Sequence, residues 1–209
     1  MTWLIENYDR VLIALWEHIQ LVGIGLAISL VIGLPLGILS ARRPTFYLVV
    51  LLVSGALYTV PALAVFALLI PWLGLGFGPA IVALVMYALL IIIRNTATGL
   101  REVSPDILDA ADGMGYGRAR RLFAIELPLA LPVIIAGIRI TVVTMVSVAT
   151  VAAFINAGGL GDIIFQGITQ DFGEKVVVGA VVTSLLAIVC DELLRRLELH
   201  MRSVQAEGG

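Results

Sequence analysis

The chain has 209 residues, of which 60% are hydrophobic and 13% are charged, and its mean hydropathy is +1.07. Soluble domains carry about 25% charged residues, so this composition excludes a water-soluble fold and indicates an integral membrane protein. The single cysteine, Cys190, excludes an internal disulfide and a cysteine-based metal cluster, and nothing in the formal charge of −2 suggests a nucleic-acid partner.

The N-terminal region is predicted to contain an external tail followed by a first membrane span. Residues 1–18 carry scattered charges of both signs and lack the pattern of a signal peptide. Residues 19–41 contain no charge and exceed the length of about 20 apolar residues that a helix needs to cross the hydrocarbon. Arg42 and Arg43 then end the span on the cytoplasmic side by the positive-inside rule, which places the tail outside.

The next uncharged run, residues 44–93, is long enough for two spans. The segment 71–79 concentrates Gly and Pro and predicts a turn between a span near 46–69 and another near 79–94. Tyr58, Thr59 and Pro61 lie inside the earlier span, and they are candidates for a kink that lines a transport pathway. A packing kink without substrate contact is the open alternative.

The stretch 102–128 is the one long hydrophilic segment between apolar runs. Ser104 can cap a helix, Pro105 suits its first turn, and Gly113, Gly115 and Gly117 can end it. Asp106 favours the positive end of the helix dipole. The helical spacing gives a shallow apolar face made of Ile107, Ala110, Ala111 and Met114, and an acidic face made of Asp106, Asp109 and Asp112. A segment with such a face is suited to a cytoplasmic partner's groove.

The spacing Asp109-Ala110-Ala111, three residues, Gly115, nine residues and Ile125-Glu126-Leu127-Pro128 resembles the EAA loop of permease subunits of ABC importers. That family usually has Glu where this chain has Asp109. The resemblance implies coupling helices that dock on a separate ATPase. The implied coupling residues are Ser104, Asp106, Ile107, Asp109, Ala110, Ala111, Met114, Gly115 and Gly117.

Other segments resemble the osmoprotectant branch of these permeases, whose solutes are glycine betaine, carnitine and choline. They are TVPALA from Thr59, RNTATGLREVSPDILDAADGMG from Arg94, LPLALPVIIAGIR from Leu127 and AGGLGDIIFQGI from Ala157. The resemblance implies an inner-membrane permease that works with a second permease copy or paralogue, cytoplasmic ATPase subunits and an external substrate-binding protein. It implies no cofactor in this chain, since the ATP is bound by the partner. A permease for another small solute, such as an amino acid, is the alternative.

Arg139 interrupts the apolar sequence that follows the coupling segment. At the bilayer centre it would cost about 2.5 kcal/mol or more, so the fourth span is predicted to begin at Arg139 and to cover 140–157. Residues 127–138 would then form an interfacial approach segment. An arginine that binds an anion inside the pathway remains the alternative.

The last part of the chain predicts an external loop and one more span. The Gly-rich run from Asn156 to Asp162 is expected to be the loop, and an amphipathic stretch follows it to Phe172. Asn156 is a further pathway candidate at the end of the fourth span. Residues 176–190 form the last span, and 203–209 form a flexible tail.

The sequence therefore predicts an all-α membrane protein with about five transmembrane helices and a cytoplasmic coupling loop between the third and the fourth. The transmembrane domain covers 19–202, surrounded by lipid, with the N-terminus outside and the C-terminus in the cytoplasm. Ten of the 13 basic residues lie in the predicted cytoplasmic loops or ends.

Two other classes fit the sequence less well. Asp109-Ala-Ala-Asp112-Gly113 begins like the metal-binding motif of membrane CDP-alcohol phosphotransferases, but no further aspartate follows before Asp162, and a two-metal site needs those carboxylates. A secondary carrier needs ionisable coupling groups within its spans, where only Arg139 could serve. The predicted spans contain no acid, and Tyr47, Tyr58 and Tyr87 are scattered in sequence. Substrate selectivity is therefore expected in the external binding protein.

Overall fold

The fold is that of a computed structural model, which describes residues 2–207 and the side chains of residues 2–201. Within that part of the chain every regular element is a helix. In chain order the helices are α1 (Thr2–Glu6), α2 (Tyr8–Arg42), α3 (Pro44–Thr59), α4 (Ala62–Leu73), α5 (Phe77–Arg101), α6 (Pro105–Gly113), α7 (Arg118–Arg121), α8 (Leu127–Ala152), α9 (Leu160–Thr169) and α10 (Gly173–Glu207).

Four helical segments of the described chain are long and apolar enough to cross a membrane. They are α2, α5, the continuous helix Arg118–Ile155 and the part of α10 that ends at Met201. Helices α3 and α4 are bent by 96° at Val60 and Pro61, and the pair gives a fifth candidate span when it is counted as one broken span. This arrangement confirms the predicted all-α fold with about five spans.

Helix α5 lies at the centre of the core, between α2 and α8. Glycines let these helices approach closely, because a Cβ atom on Gly33 would come within 2.7 Å of Ile92, and one on Gly37 within 2.5 Å of Thr96. Gly137 on α8 is pressed in the same way against Asn95 of α5. Gly33 and Gly37 of α2 therefore allow the first span to pack closely on α5.

The N-terminal region differs from the predicted separate tail 1–18. Helix α2 already begins at Tyr8, and Val11, Ala14 and His18 are buried against α9 and α10. The backbone N–H of Trp3 also donates a hydrogen bond to Glu174, at 3.0 Å. The charges that suggested a tail lie on a helical extension of the first span, which packs on the rest of the protein.

Residues 127–138 are part of one helix and do not form a separate interfacial segment. The helix runs without interruption from Arg118 to Ile155, and Ala130 and Ile134 are buried beside Leu100 of α5. A π-helical turn, Leu122–Glu126, lies just before Pro128. Such a turn redirects the backbone hydrogen bonds locally, so the helix passes Pro128, which has no N–H to donate.

The predicted external loop 156–162 is shorter than expected. Helix α9 begins at Leu160 and packs on α8 and α10, and the tight turn before it places Gly158 and Gly159 at φ values of 82° and 88°. The predicted flexible tail 203–209 falls on residues whose side chains lie outside the described part. The backbone continues as α10 to Glu207.

Candidate functional site

Helix α6 begins as its sequence predicts. The Ser104 hydroxyl accepts a hydrogen bond from the backbone N–H of Asp106, at 3.3 Å, and Pro105 occupies the first turn. The Asp106 carboxylate stands in the same turn, where it complements the positive end of the helix dipole. The local sequence therefore supplies the signals that start this short helix between two long membrane helices.

The end of α6 is a Schellman motif centred on Gly115. The N–H of Tyr116 donates to the carbonyl of Ala111 at 3.1 Å, and the N–H of Gly115 donates to the carbonyl of Asp112 at 3.0 Å. Gly115 has φ 82°, a left-handed conformation that costs a β-branched residue heavily. Gly115 thus ends the helix and turns the chain towards Arg118, whereas Gly117 has an extended backbone.

The predicted apolar face of α6 is divided by the fold. Ile107 and Met114 project outward with 42% and 68% of their surfaces exposed, and Ala110 and Asp109 are exposed beside them. Ala111 is fully buried, so it packs against its own chain and does not belong to the exposed face. The exposed face of α6 therefore still combines apolar side chains with the acidic side chain of Asp109.

Ion pairs attach α6 to the transmembrane body. The Arg121 guanidinium contacts the carboxylate of Asp112 at the end of α6 and donates to Glu126 at 3.0 Å. Glu126 is buried and also pairs with Arg42, at the end of α2, at 3.4 Å. These pairs connect α6 to the end of α2 and to the helix Arg118–Ile155.

A second connection joins the neighbouring ends of α2 and α5. The Arg101 guanidinium donates to the carbonyls of Ser40 at 2.7 Å and Ala41 at 3.3 Å, and it lies over the ring of Tyr47 at 4.0 Å. These contacts satisfy the last carbonyls of α2 and bring α3 beside α5. The ends of the first three spans that adjoin α6 are thereby held together.

The break between α3 and α4 brings three of the pathway candidates together. Tyr58, Thr59 and Pro61 are exposed at this 96° bend. The bend is much sharper than the predicted kink, and it separates two helices. Tyr87 of α5 packs on Tyr58, with ring centroids 5.6 Å apart and an interplanar angle of 75°, and its hydroxyl donates to the carbonyl of Val60. The tyrosines that looked scattered in sequence are neighbours in the fold.

Asn156, the remaining pathway candidate, lies elsewhere. It has a left-handed backbone with φ 60° at the end of the helix Arg118–Ile155. The adjacent carbonyl of Ile155 accepts a hydrogen bond from Gly76 in the α4–α5 turn, at 2.7 Å. Asn156 therefore belongs to the connection between two helix ends and not to the break at Pro61.

Arg139 is held by carboxylates of the last helix. Its guanidinium donates to both oxygens of Asp191, at 3.0 and 3.1 Å, and to Glu198 at 2.7 Å. Hydropathy does not predict these partners, because they lie 52 and 59 residues after Arg139 in the sequence. The network connects α8 to α10 through charge and leaves Arg139 with two acidic partners.

The Gly158–Gly159 turn is bound by two adjacent side chains of α2. The Glu17 carboxylate accepts the N–H of Gly159 at 2.9 Å, and Nδ1 of His18 accepts the N–H of Leu160 at 3.3 Å. Nε2 of the same imidazole therefore carries the proton and donates to the Val146 carbonyl at 3.1 Å. Burial and the neighbouring Glu17 carboxylate raise the pKa of Asp162. The sequence does not predict that Glu17 and His18 bind this turn. Only the adjacent glycines, Gly158 and Gly159, indicate that a tight turn is present.

The chain belongs to the family described as the inner membrane component of binding-protein-dependent transport systems, whose model matches residues 33–203. It is accordingly a multi-pass inner-membrane permease subunit and not an enzyme. The CDP-alcohol phosphotransferase alternative is set aside by this membership.

Several relatives are similar over nearly the whole chain. The carnitine transport permease protein OpuCB of Listeria monocytogenes is 37% identical over 96% of this chain and 92% of its own length. The choline transport system permease protein OpuBB of Bacillus subtilis is 40% identical over 90% of this chain and 87% of its own length. The osmoprotectant import permease protein OsmW of Salmonella typhimurium is 38% identical over 94% of both chains.

The fold is also found in a solved transporter. A chain of the MetNI methionine ABC transporter in an inward-facing conformation matches 94% of this chain and 98% of its own length, with a TM-score of 0.85 and 23% identity. At this identity the match establishes the shared architecture of the two permeases. It carries no conclusion about the solute.

Proposed function

We propose that this chain is the membrane permease of an ATP-driven importer for quaternary ammonium osmolytes of the glycine betaine, carnitine and choline type. The observation that carries the substrate class is the 37–40% identity to three permeases named for these solutes or for osmoprotectants, over at least 90% of the chain. An amino acid substrate has weaker support, because the methionine transporter shares the fold at only 23% identity.

The proposed ATPase contact is the outward face of α6. Ile107, Ala110 and Met114 offer apolar surface, and Asp109 lies beside them with its charge exposed. Because Arg121 and Glu126 fix α6 to the spans, closure of two ATPase subunits on ATP would move this helix as a rigid lever. We expect this movement to switch the pathway between access from the outside and access from the cytoplasm. ATP would bind to the partner subunits, and this chain would hold no cofactor.

The proposed pathway passes the break at Pro61. Backbone outside a regular helix is tolerated at membrane depth where it is buried in protein or lines a water-filled cavity, and the exposure of Thr59 and Pro61 favours the cavity. A second permease, either a copy or a paralogue, would form the opposite wall. The external binding protein would deliver the solute and provide most of the selectivity. The N-terminus would lie outside and the C-terminus in the cytoplasm.

Uptake in cells tests the substrate class. A host without osmolyte uptake systems receives the permease together with its ATPase and binding protein, and accumulation of labelled glycine betaine is measured at high salt. We expect accumulation that unlabelled choline or carnitine reduces and that methionine leaves unchanged. Accumulation blocked by an amino acid, with no effect of any quaternary ammonium compound, would replace the proposed substrate class.

A further inference from the structure

The break between α3 and α4 lies deep within the spans. At 1.5 Å per residue, Tyr87 stands about 15 Å from Phe77 and about 21 Å from Arg101 along α5. Its hydroxyl reaches the Val60 carbonyl, so the break has the same depth. Discontinuous helices at this depth are a common place for transported solutes, because helix ends present unpaired backbone groups to them.

The end of α3 presents such groups. Pro61 has no N–H, and within the described chain no backbone N–H donates to the carbonyl of Tyr58 or of Thr59. Unpaired carbonyls at a helix C-terminus carry partial negative charge. The Thr59 hydroxyl does not supply a donor either, because it is directed back to the carbonyl of Ala56 at 2.7 Å.

An aromatic face stands beside these carbonyls. The Tyr58 side chain is 37% exposed, whereas Tyr87 is 6% exposed and is held by its hydrogen bond to Val60. The near-perpendicular packing of the two rings fixes Tyr58 at the break. Tyr58 is therefore the ring available to a solute, and Tyr87 is the residue that positions it.

A quaternary ammonium group matches this combination. It has no N–H, cannot lose its charge by deprotonation and is recognised best by aromatic faces. Residues 44–93 contain no Asp or Glu that could act as a counter-ion. The electron-rich ring and the open carbonyls are thus the complementary groups that α3 offers to such a cation.

We infer that Tyr58, positioned by Tyr87 and assisted by the open carbonyls at the end of α3, forms a transit site for the quaternary ammonium group of the cargo. This inference rests on the proposed function. The site replaces part of the hydration that the cation loses inside the membrane and so lowers the barrier to crossing. A single ring gives a weak contact, which suits release and leaves tight capture to the binding protein.

Graded fluorination of the ring tests the contact. The complete transporter, with its ATPase and binding protein, is placed in proteoliposomes, and ATP-driven uptake of glycine betaine is measured. Position 58 carries Tyr, Phe, monofluoro-Phe, trifluoro-Phe or Leu. Fluorine weakens the negative face of the ring with little change in shape. Tyr58→Phe should stay close to the unmodified protein, and the rate should then fall stepwise to a loss of about two- to thirty-fold in Tyr58→Leu.

The same fluorinated series at Phe66 is the matched control, because that ring lies on α4 and is buried with 1% exposure. It should leave uptake unchanged. In a Tyr87→Phe background the response to fluorination at position 58 should shrink, which a purely structural role of Tyr87 would not produce.

A flat response at position 58 in a transporter that imports glycine betaine would overturn the transit site and leave the proposed function intact. Absence of uptake of any quaternary ammonium compound by the unmodified complex would contradict the proposed function itself. Should Tyr58→Leu fail to assemble, the fluorinated variants still decide the question, since they preserve the shape of the ring.

Discussion

Glu17 and His18 fix a glycine turn by accepting its backbone N–H groups. The turn needs positive φ at Gly158 and Gly159, and its N–H groups would otherwise point into the buried junction of α2, α8 and α9. Buried polar groups left without partners are costly, so each acceptor stabilises the turn beyond the modest value of an ordinary hydrogen bond. The neutral imidazole of His18 donates a hydrogen bond to Val146 on α8 and accepts one from Leu160 at the start of α9.

Replacing this imidazole by a ring of similar size tests its role. His18→Phe leaves the N–H of Leu160 without its acceptor and should lower the free energy of unfolding by about 1–3 kcal/mol. Thermal unfolding of the purified permease in detergent measures the change. The neighbouring variant Ile19→Phe is the control, because Ile19 is 40% exposed on the same helix and should tolerate the added size. Equal stability of the two variants would show that the hydrogen bonds of His18 are unimportant.

Helix α6 can transmit force only if both of its ends are well defined. Its start depends on Ser104 and its end on Gly115, and the pairs of Arg121 hold it against the body. Nothing lies within 4 Å of a Cβ added at Gly115, so a substitution there acts through backbone strain and not through a clash.

Gly115→Ile is therefore expected to disturb the lever without unfolding the spans. A β-branched residue resists φ 82°, so the helix end should rearrange and the ATPase should co-purify in reduced amount while the permease remains in the membrane. Gly113→Ala is the matched control, since Gly113 lies within α6 at an ordinary φ with open space around it. Full ATPase co-purification and full transport by Gly115→Ile would contradict a docking role for this segment.

The ion pairs between Arg139 of α8 and the carboxylates of α10 can be tested separately. Arg139→Met removes the guanidinium that pairs with Asp191 and Glu198 and should destabilise the protein by about 2 kcal/mol, less than the loss of a fully buried pair because Arg139 and Asp191 are partly exposed. The double variant Arg139→Glu with Asp191→Arg should recover part of the loss. Arg195→Met is the control, since Arg195 pairs with Glu192 on the surface of α10 itself and should matter much less. Stability is measured by thermal unfolding, and a double variant no better than Arg139→Met would contradict the pairing.

Local sequence signals predicted the elements that depend on local physics. Ser104 and Pro105 indicated where α6 begins, and the glycines at 113, 115 and 117 indicated the region where it ends. Pro61 indicated a kink where α3 and α4 separate. Elements that depend on distant partners were missed. Charge at Asp9 and Glu17 suggested a tail, although that helix packs on α9. The amphipathic stretch after the Gly-rich run was visible in the sequence, but it was not assigned as the helix α9.

The same limit applied to individual side chains of the candidate site. Arg139 was interpreted as the start of a span because an arginine at the bilayer centre is costly. Its carboxylate partners, which lie far along the sequence on α10, could not be foreseen. The Tyr58–Tyr87 pair depends on how α3 crosses α5, which hydropathy does not specify. The burial of Ala111 likewise reflects its neighbours in the fold.

At the scale of the whole molecule, the proposed orientation follows from the basic residues near α6 and near the end of α10. In a Cys190-free background, a membrane-impermeant thiol reagent applied outside intact cells should label a cysteine introduced by Gly76→Cys. It should leave the Tyr116→Cys variant unlabelled until the cells are opened. Both positions lie in turns outside the membrane-spanning helices, which makes them a matched pair. Reversed labelling would contradict the orientation.

The central claim is that this permease moves a quaternary ammonium osmolyte by coupling to a separate ATPase. Family membership, the exposed face of α6 and the identities to carnitine and choline permeases support it together. A secondary carrier of the same solute would need no ATP, whereas the proposed importer needs ATP, the ATPase and the binding protein in every cycle.

The most direct test is uptake of labelled glycine betaine by proteoliposomes that contain the purified permease, with each other component omitted in turn. Uptake should occur only when the ATPase, ATP and the binding protein are all present, and it should stop when a non-hydrolysable ATP analogue replaces ATP. Equal uptake by the permease alone, or ATP-driven uptake of methionine in place of every quaternary ammonium solute, would contradict the account.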